Sequence, residues 1–346
     1  MKQRSVDIMT KLNVVLIFGG ESTEHDVSIL SAKNIYEAID GEKFDTSLLY
    51  IDRQGRWVMC EKFDDYENPT KLQGVFPVLG ESKLKIGDRE LRPDVLFPVL
   101  HGKNGEDGSV QALAQLLHIS LVGCDMTSSA LGMDKVTAKR IAAEVGVPVV
   151  PYEIYRQGEN MPDYEMLCQK LGDTMFVKPS RAGSSVGANK VHNFEEFTHA
   201  LESALAVDTT VLIEKSLDVR ELEVAVLGNP PMHRVSQVGE VVPGADFYSY
   251  EDKYDVASTS RIEIPAILEE LTSSEVRRQA ALLYGEFGCT GLSRVDFFFT
   301  PEGAVYFNEI NTLPGFTDSS MYPRLWTESG LSYKRLLTEL IMTARS

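Results

Sequence analysis

The segment from Arg294 to Thr317, RVDFFFTPEGAVYFNEINTLPGFT, constrains the fold of this chain more than any other. Two apolar runs, Arg294–Phe299 and Val305–Ile310, flank Thr300–Gly303, a tight turn. The runs are therefore expected as antiparallel neighbouring strands. That pairing brings Asp296, near the start of one strand, close to Glu309 and Asn311 at the end of the next. Residues 309 and 311 share a parity, so both point to one face. Two carboxylates and an amide oxygen on one face form a hard-oxygen site. It suits Mg²⁺, which commonly takes one or two carboxylates plus substrate phosphates. A single acid there would read as a solvated strand-end charge. Arg294 is two residues from Asp296 and on its face. It suits charge developing on a transferring phosphoryl group, or a structural salt bridge to the same acids.

The chain has 346 residues, so two or three domains are expected, and 43% hydrophobic residues suffice for ordinary cores. The net charge of −17 argues against a nucleic-acid partner, whose binding rests on basic contacts to phosphate. It leaves room for a nucleotide, which needs only a local cluster of lysine and arginine. Cys60, Cys124, Cys168 and Cys289 are scattered, with no C-x-x-C pair and no Cys/His ligand spacing, which fits a reducing cytosol. Near the N-terminus, Val14–Phe18 is too short for a signal-peptide core or a membrane span. A soluble, cytoplasmic protein without a membrane partner is expected.

Asn13–Phe18 reads as a buried strand, Gly19–Ser22 as a turn, and Val27–Ile39 as a helix with Val27, Leu30 and Ile35 facing a core. Strand, glycine turn and helix open a parallel α/β sheet. Thr46–Ile51 and Val95–Leu100 continue it, and Val122–Asp125 closes this first domain. Between them, Asp52–Arg92 reads as irregular, with hairpins. Ser128–Val145 reads as one helix carrying Asp134, Lys135, Lys139 and Arg140, stopped at Val147-Pro148. Next come a strand, a helix, a hairpin, the helix Phe194–Ala204 and the strand Thr210–Glu214. From Glu221 onward strands alternate with long loops, with helices at Ser274–Phe287 and Tyr333–Ala344.

Several stretches carry candidate chemistry. FVKPSRAGSSVGANKV, Phe176–Val191, places Lys178 at the end of an apolar strand and then a Gly/Ser loop, Gly183–Gly187. Burying an unpaired lysine is costly, and a phosphate would compensate it; a solvent-facing edge lysine is the alternative. The loop is not a Walker A motif, and alone it reads as a hairpin turn. Thr210–Ile213 followed by Glu214, Lys215 and Leu217 reads either as a backbone edge for an adenine or as an interdomain hinge. Glu221 is spaced to accept ribose hydroxyls. His101, in the loop HGKNGEDG after a parallel strand, lies where such sheets bind ligands. Glu24, in GGESTEHDVS, is a ligand contact or a charge complementing a helix dipole. That loop lacks the dinucleotide fingerprint, which disfavours a nicotinamide dehydrogenase.

Taken in order, GGESTEHDVS, LHGKNGEDG, GMDKVTAK, FVKPSRAGSSVG, IEKSLDVRELEVAVLG, FYSYEDKY, SRVDFFF and NEINTLPGFTDSSMYP closely resemble the D-alanine–D-alanine ligases of the ATP-grasp superfamily, over nearly the whole chain. The resemblance implies an α/β, ATP-grasp fold with an N-terminal Rossmann-like (pre-ATP-grasp) domain. The expected domains are residues 1–126, a small ATP-grasp subdomain at 127–218 and a C-terminal one at 219–346. It also implies ATP and Mg²⁺, with Mn²⁺ a substitute, D-alanine as substrate, and a homodimer through the first domain. Lys135 and Lys178 match nucleotide lysines, and Ser185, Lys253 and Asn308 join them in the cofactor site. Glu214, Lys215 and Leu217 match the adenine segment, Glu221 the ribose acid, and Asp296, Glu309 and Asn311 the metal ligands. Gly183–Gly187 matches a flap over the phosphates. Its Ser184, with Glu24 and Tyr254, links that flap to the first D-alanine site. His101 matches a substrate-contacting histidine, and Gly315 and Ser320 match positions around the second D-alanine.

The chemistry implied is transfer of the γ-phosphoryl group onto the first D-alanine, then attack by the amine of the second, for peptidoglycan precursor synthesis. Lys178 and Arg294 would neutralise phosphoryl charge, and Arg294 with the Gly315 N–H would bind the oxyanion. Gly183–Gly187 and Phe247–Ser260 are the expected lids. Tyr254 argues against depsipeptide formation, and Met321 stands where D-serine-using relatives carry a basic residue. Both favour D-alanine. The rivals are another ATP-grasp carboxylate–amine ligase and a non-catalytic nucleotide-binding protein on the same scaffold.

Overall fold

The protein is described by a computed structural model covering residues 10–183, 186–242 and 261–346. Ser184, Ser185, Lys253, Tyr254 and the whole of the expected second lid, Phe247–Ser260, lie outside the described residues.

The first sheet grows from β1 (Leu12–Gly19), which pairs in parallel with β2 (Phe44–Ile51) and β7 (Val95–Val99); β8 (Ser120–Leu121) extends it. Val14 to Phe18 are fully buried on both faces, as a central parallel strand requires. Gly19 turns the chain at φ +91°, and a Cβ there would lie 2.2 Å from the Ile51 carbonyl oxygen, so only glycine fits. α1 (His25–Ala38) packs back on β1 through Ser28, Ser31, Ala32 and Ile35. Leu30 does not face the core: it is 52% exposed, because small residues supply the buried stripe.

The stretch read as irregular forms four strands, β3 (Trp57–Cys60), β4 (Gln73–Val78), β5 (Lys83–Ile86) and β6 (Arg89–Leu91). They continue the sheet antiparallel from β2, giving eight strands in the order β6-β5-β4-β3-β2-β1-β7-β8. Val122–Asp125, expected to close the first domain, connects β8 to the next helix. Its Asp125 accepts from Ser128 N at 2.8 Å and caps the next helix. α2 (Ser109–Leu117) covers this end of the sheet.

The single helix expected over 128–145 is two, α3 (Met126–Met133) and α4 (Lys135–Glu144). Asp134 is extended between them, and its carboxylate accepts from Thr137 N at 2.9 Å. An aspartate that caps a new helix competes with continuing the old one, and here it wins. The break redirects Lys135 toward the clefts described below and leaves Lys139 buried.

A four-stranded antiparallel sheet follows, ordered β11-β10-β12-β9 from β9 (Tyr152–Arg156), β10 (Met175–Pro179), β11 (Asn189–Val191) and β12 (Thr210–Lys215). α5 (Tyr164–Leu171) and α6 (Phe194–Leu205) close one face over Met175, Val177, Val211 and Ile213. The last sheet is antiparallel and ordered β15-β14-β13-β16-β17. Its strands are β13 (Arg220–Leu227), β14 (Arg234–Val242), β15 (Arg261–Glu263), β16 (Leu292–Phe299) and β17 (Val305–Asn311). α7 (Glu270–Glu286), α8 (Met321–Glu328) and α9 (Tyr333–Thr343) pack around it. Among the described residues no helix is long and apolar enough to cross a membrane.

Candidate active site

The expected hairpin is present. Gly303 N donates to Thr300 O at 2.9 Å and Gly303 takes φ +87°, closing the turn between β16 and β17. Asp296 stands opposite Glu309, and Arg294 opposite Asn311. One residue further the ladder shifts, pairing Phe297 with Phe307 and leaving Asn308 as an extra residue. That bulge lets Phe307 and Ile310 both face the core while Asn308 and Glu309 turn to the opposite side. Without it, the two-residue alternation would send Glu309 the way of Phe307.

Two clefts meet at this hairpin. The larger, about 690 Å³, lies between the second and third sheets and is lined by Lys178, Glu214, Lys215, Leu217, Glu221, Asp296 and Asn308. The smaller, about 140 Å³, faces the first unit and is lined by Glu24, His101, Asn311, Gly315, Ser320 and Met321. Lys135, Ala182, Glu223, Arg294 and Glu309 border both. The sequence-derived nucleotide residues thus gather in one cleft and the substrate residues in the other. Cationic and acidic side chains form the shared wall.

Arg294 is gripped on two sides. Its Nε and an Nη donate to Asp296 at 2.8 and 2.7 Å, and Nε lies 2.8 Å from Glu223 Oε2. Burial opposes its charge, but Asp296 and Glu223 outweigh burial and raise its pKa well above the usual value. The guanidinium is a fixed positive charge at the junction. Lys135 Nζ donates to the Ala182 carbonyl at 2.8 Å and lies 3.0 Å from Glu309. Lys178 pairs with Glu214, which also lies 2.5 Å from Lys139. Burial works to raise Glu214's pKa, yet the two lysines, Lys139 foremost, hold it down at about 2.

Among the described residues no group of three or more His, Cys, Asp or Glu side chains is arranged for a metal. The expected donor set is smaller: the carboxylates of Asp296 and Glu309 with the amide of Asn311. Its chemistry fits Mg²⁺, which keeps open positions for phosphate and water. Arg294 and Lys135 now balance the two acids, and Asn311 Oδ1 accepts from Leu313 N at 3.1 Å.

The smaller cleft is built at the C-terminal edge of the first sheet. Glu24 precedes α1 but makes no capping hydrogen bond; its carboxylate lines the cleft instead. His101 is buried, with Nδ1 3.2 Å from the Leu313 carbonyl and 3.8 Å from Glu106. Burial disfavours its protonation, but Glu106 and Glu24 raise its pKa on balance. Gly315 lies against Ser320, whose Oγ accepts from Thr317 N at 2.9 Å. Met321, Val241 and Ile262 supply an apolar wall.

The flap hairpin is present as β10 and β11, in register from Met175↔Val191 to Val177↔Asn189. Its base is clamped where Arg181 donates through its backbone and side chain to Asp208 at 2.6 to 3.2 Å. Sequence reasoning gave no role to Lys139, Glu223 or Glu106. The first two carried a signal: Lys139 is four residues after Lys135 on a helix, and Glu223 two after Glu221 on a strand.

Comparison with known proteins places this geometry. Residues 13–124 match the family model for the D-ala D-ala ligase N-terminus, and residues 141–342 that for the C-terminus. A D-alanine--D-alanine ligase from Sodalis glossinidius is 41% identical over 97% of this chain and 96% of its own length. D-alanine--D-alanine ligase A of Escherichia coli K12 is 39% identical over the same shares of each. The solved VanG D-Ala:D-Ser ligase from Enterococcus faecalis superposes with a TM-score of 0.89, at 35% identity, over 97% of this chain and all of that one. The D-alanine-D-alanine ligase from Coxiella burnetii gives 0.88 at 33% identity, over 97% of this chain and 94% of its own.

Proposed function

The chain belongs to the D-alanine–D-alanine ligase family, and on that premise we propose that it joins two D-alanine molecules with cleavage of ATP to ADP and phosphate. The ATP-grasp fold is that of its structural relatives. The observation that carries the reading is the shared wall: Lys135, Arg294 and Glu309 border a nucleotide-sized cleft and an amino-acid-sized one at once. A γ-phosphoryl group held at that wall faces both.

A carboxylate resists attack because its charge is delocalised and its leaving group would be oxide. Phosphorylating the first D-alanine supplies phosphate as leaving group, and the amine of the second D-alanine then displaces it. Arg294 stands ready for charge that builds on the transferring group and on the tetrahedral oxyanion, helped by the Gly315 N–H. Lys178 and Lys135 hold phosphate oxygens; Lys215, Leu217 and Glu221 hold adenine and ribose. Glu24 takes the first substrate's ammonium, and His101 contacts the same substrate. Ser320 and Met321 border the second. Asp296, Glu309 and Asn311 would hold Mg²⁺ or Mn²⁺, which when bound supplies further neutralisation of phosphate charge. Ser184, Ser185, Lys253 and Tyr254 belong to the same proposal through the flap and second lid. So do the division into domains at 126 and 218, a cytoplasmic setting and a homodimer. Exposed Leu79 and Leu116 on the first unit, 58% and 56% accessible, support a contact there.

D-serine is the second reading for the amine substrate, prompted by the D-Ala:D-Ser ligase relative. The apolar Met321, Val241 and Ile262 favour a methyl over a hydroxymethyl group, a preference of about 1–3 kcal/mol in such pockets. Phosphate release from ATP, measured with D-alanine, D-serine, D-lactate and L-amino acids, tests both. Release that does not depend on D-alanine would overturn the proposal.

A further inference from the structure

Lys139 has no part in the chemistry above, yet it is a fully buried lysine. It lies one helical turn after Lys135 on α4, so both project from one face. Its ammonium is 2.5 Å from Glu214 Oε1, while Lys178 pairs with Oε2 of the same carboxylate. Glu214 stands opposite Phe176 in the β10–β12 ladder, which puts Lys178 diagonal to it on the same face. A helix and two strands thus join in one lysine–glutamate–lysine bridge. The two lysines differ in access. Lys139 borders neither cleft, whereas Lys178 is 13% exposed and reaches the larger one.

A buried carboxylate that loses its only cation is stranded at high cost. If Lys178 were alone with Glu214, an anion entering the cleft would draw the lysine away against that cost. Lys139 on the second oxygen removes the conflict. We infer that Lys139 is a positioning residue, a permanent counter-ion to Glu214 that frees Lys178 to exchange from the carboxylate to an incoming polyphosphate. The inference rests on reading the larger cleft as the ATP site. Burial lowers the pKa of Lys139 and Glu214 raises it, with a net lowering, as expected for a group whose charge depends on that one partner.

The test is a double-variant cycle: Lys139→Met, Glu214→Gln and both together, with ATP binding measured by calorimetry without amino acid. Michaelis constants for ATP and D-alanine and thermal melts accompany it. Lys139→Met is expected to weaken ATP binding about tenfold or more, because Lys178 is then locked to Glu214. The Michaelis constant for D-alanine should not change. In the Glu214→Gln background the same substitution should cost no further ATP affinity. The double variant lacks the buried carboxylate and its buried cation, so it should fold even where Lys139→Met does not, and its comparison with Glu214→Gln then decides. ATP binding by Lys139→Met equal to wild type would overturn the inference. So would an equal loss in both backgrounds, which would mark Lys139 as core filling. Wild-type protein that binds no ATP would overturn the reading of the cleft, and this inference with it.

Discussion

Glu309→Gln separates the structural from the chemical role of the acid hairpin, because the two magnitudes differ. Structurally the substitution weakens the ion pair of Lys135 with Glu309, 3.0 Å apart and between side chains 13% and 28% exposed, and the attraction of Arg294 to the same acid. A partly solvated pair contributes about 0–1 kcal/mol. Lys135 also keeps its 2.8 Å bond to the Ala182 carbonyl, so the lysine is not stranded. The volume is conserved. A melting midpoint shifted by no more than about 2–4 °C is expected for a chain of this size. Chemically the same change removes one of the carboxylates that would hold Mg²⁺, and with it the neutralisation of phosphoryl charge that a bound metal supplies. Loss of one preorganised group of that kind costs about 10²–10³ in kcat, or about 2.7–4 kcal/mol. The assay is D-alanine-dependent phosphate release across a Mg²⁺ series, with a thermal melt of the same sample. The expected result is a folded protein, slower by about a hundredfold or more, with a raised Mg²⁺ requirement. Wild-type turnover at the same Mg²⁺ would refute the assignment. A large fall in melting temperature would show that the acid is structural.

Gly315→Ala should raise the Michaelis constant for the second amino acid more than that for ATP, because the new Cβ would lie 2.8 Å from Ser320 Oγ and displace it; steady-state kinetics with each substrate varied checks this. Arg294→Lys should lower kcat while the protein stays folded, since an ammonium keeps the charge but cannot fork between Asp296 and Glu223; wild-type kcat would remove the guanidinium's role. Glu214's pKa is depressed in the fold, so its stabilising contribution is present above its ordinary value of 4.5 and is lost as pH falls toward about 2. Melting curves across that interval should fall more steeply for wild type than for Glu214→Gln.

Much of the acid hairpin was legible because strand alternation and a turn signal act locally. Asp296, Glu309 and Arg294 come together as their spacing implied. The bulge at Asn308 was not legible, since nothing in VYFNEIN marks which residue drops out of the ladder. Asp134 was misread as helix interior because a capping aspartate and a solvent-facing one look alike until the chain on either side turns. Hairpins were expected between Asp52 and Arg92, but the single strands from Trp57 to Leu91 could not be placed, because they are short and mixed with polar residues, and sheet pairing rather than local pattern holds them. Lys139 read as one of several charges on a helix. Only the tertiary approach of β12 reveals that its end is buried. The roles of Ser184 and Tyr254 came from family resemblance, and both residues lie outside the described part of the chain.

The supernumerary Asn308 also bears on how this hairpin tolerates change in length. Pairing is regular on both sides of it, Asp296 with Glu309 and Phe297 with Phe307. Deleting that residue would therefore leave every neighbour opposite its present partner and cost the larger cleft a single amide. Adding one residue to the strand between Glu309 and Asn311 would instead swing the terminal amide toward the packed interior. Shortening and lengthening are thus unequal events here, and only the first keeps Asn311 on the face of the acidic pair.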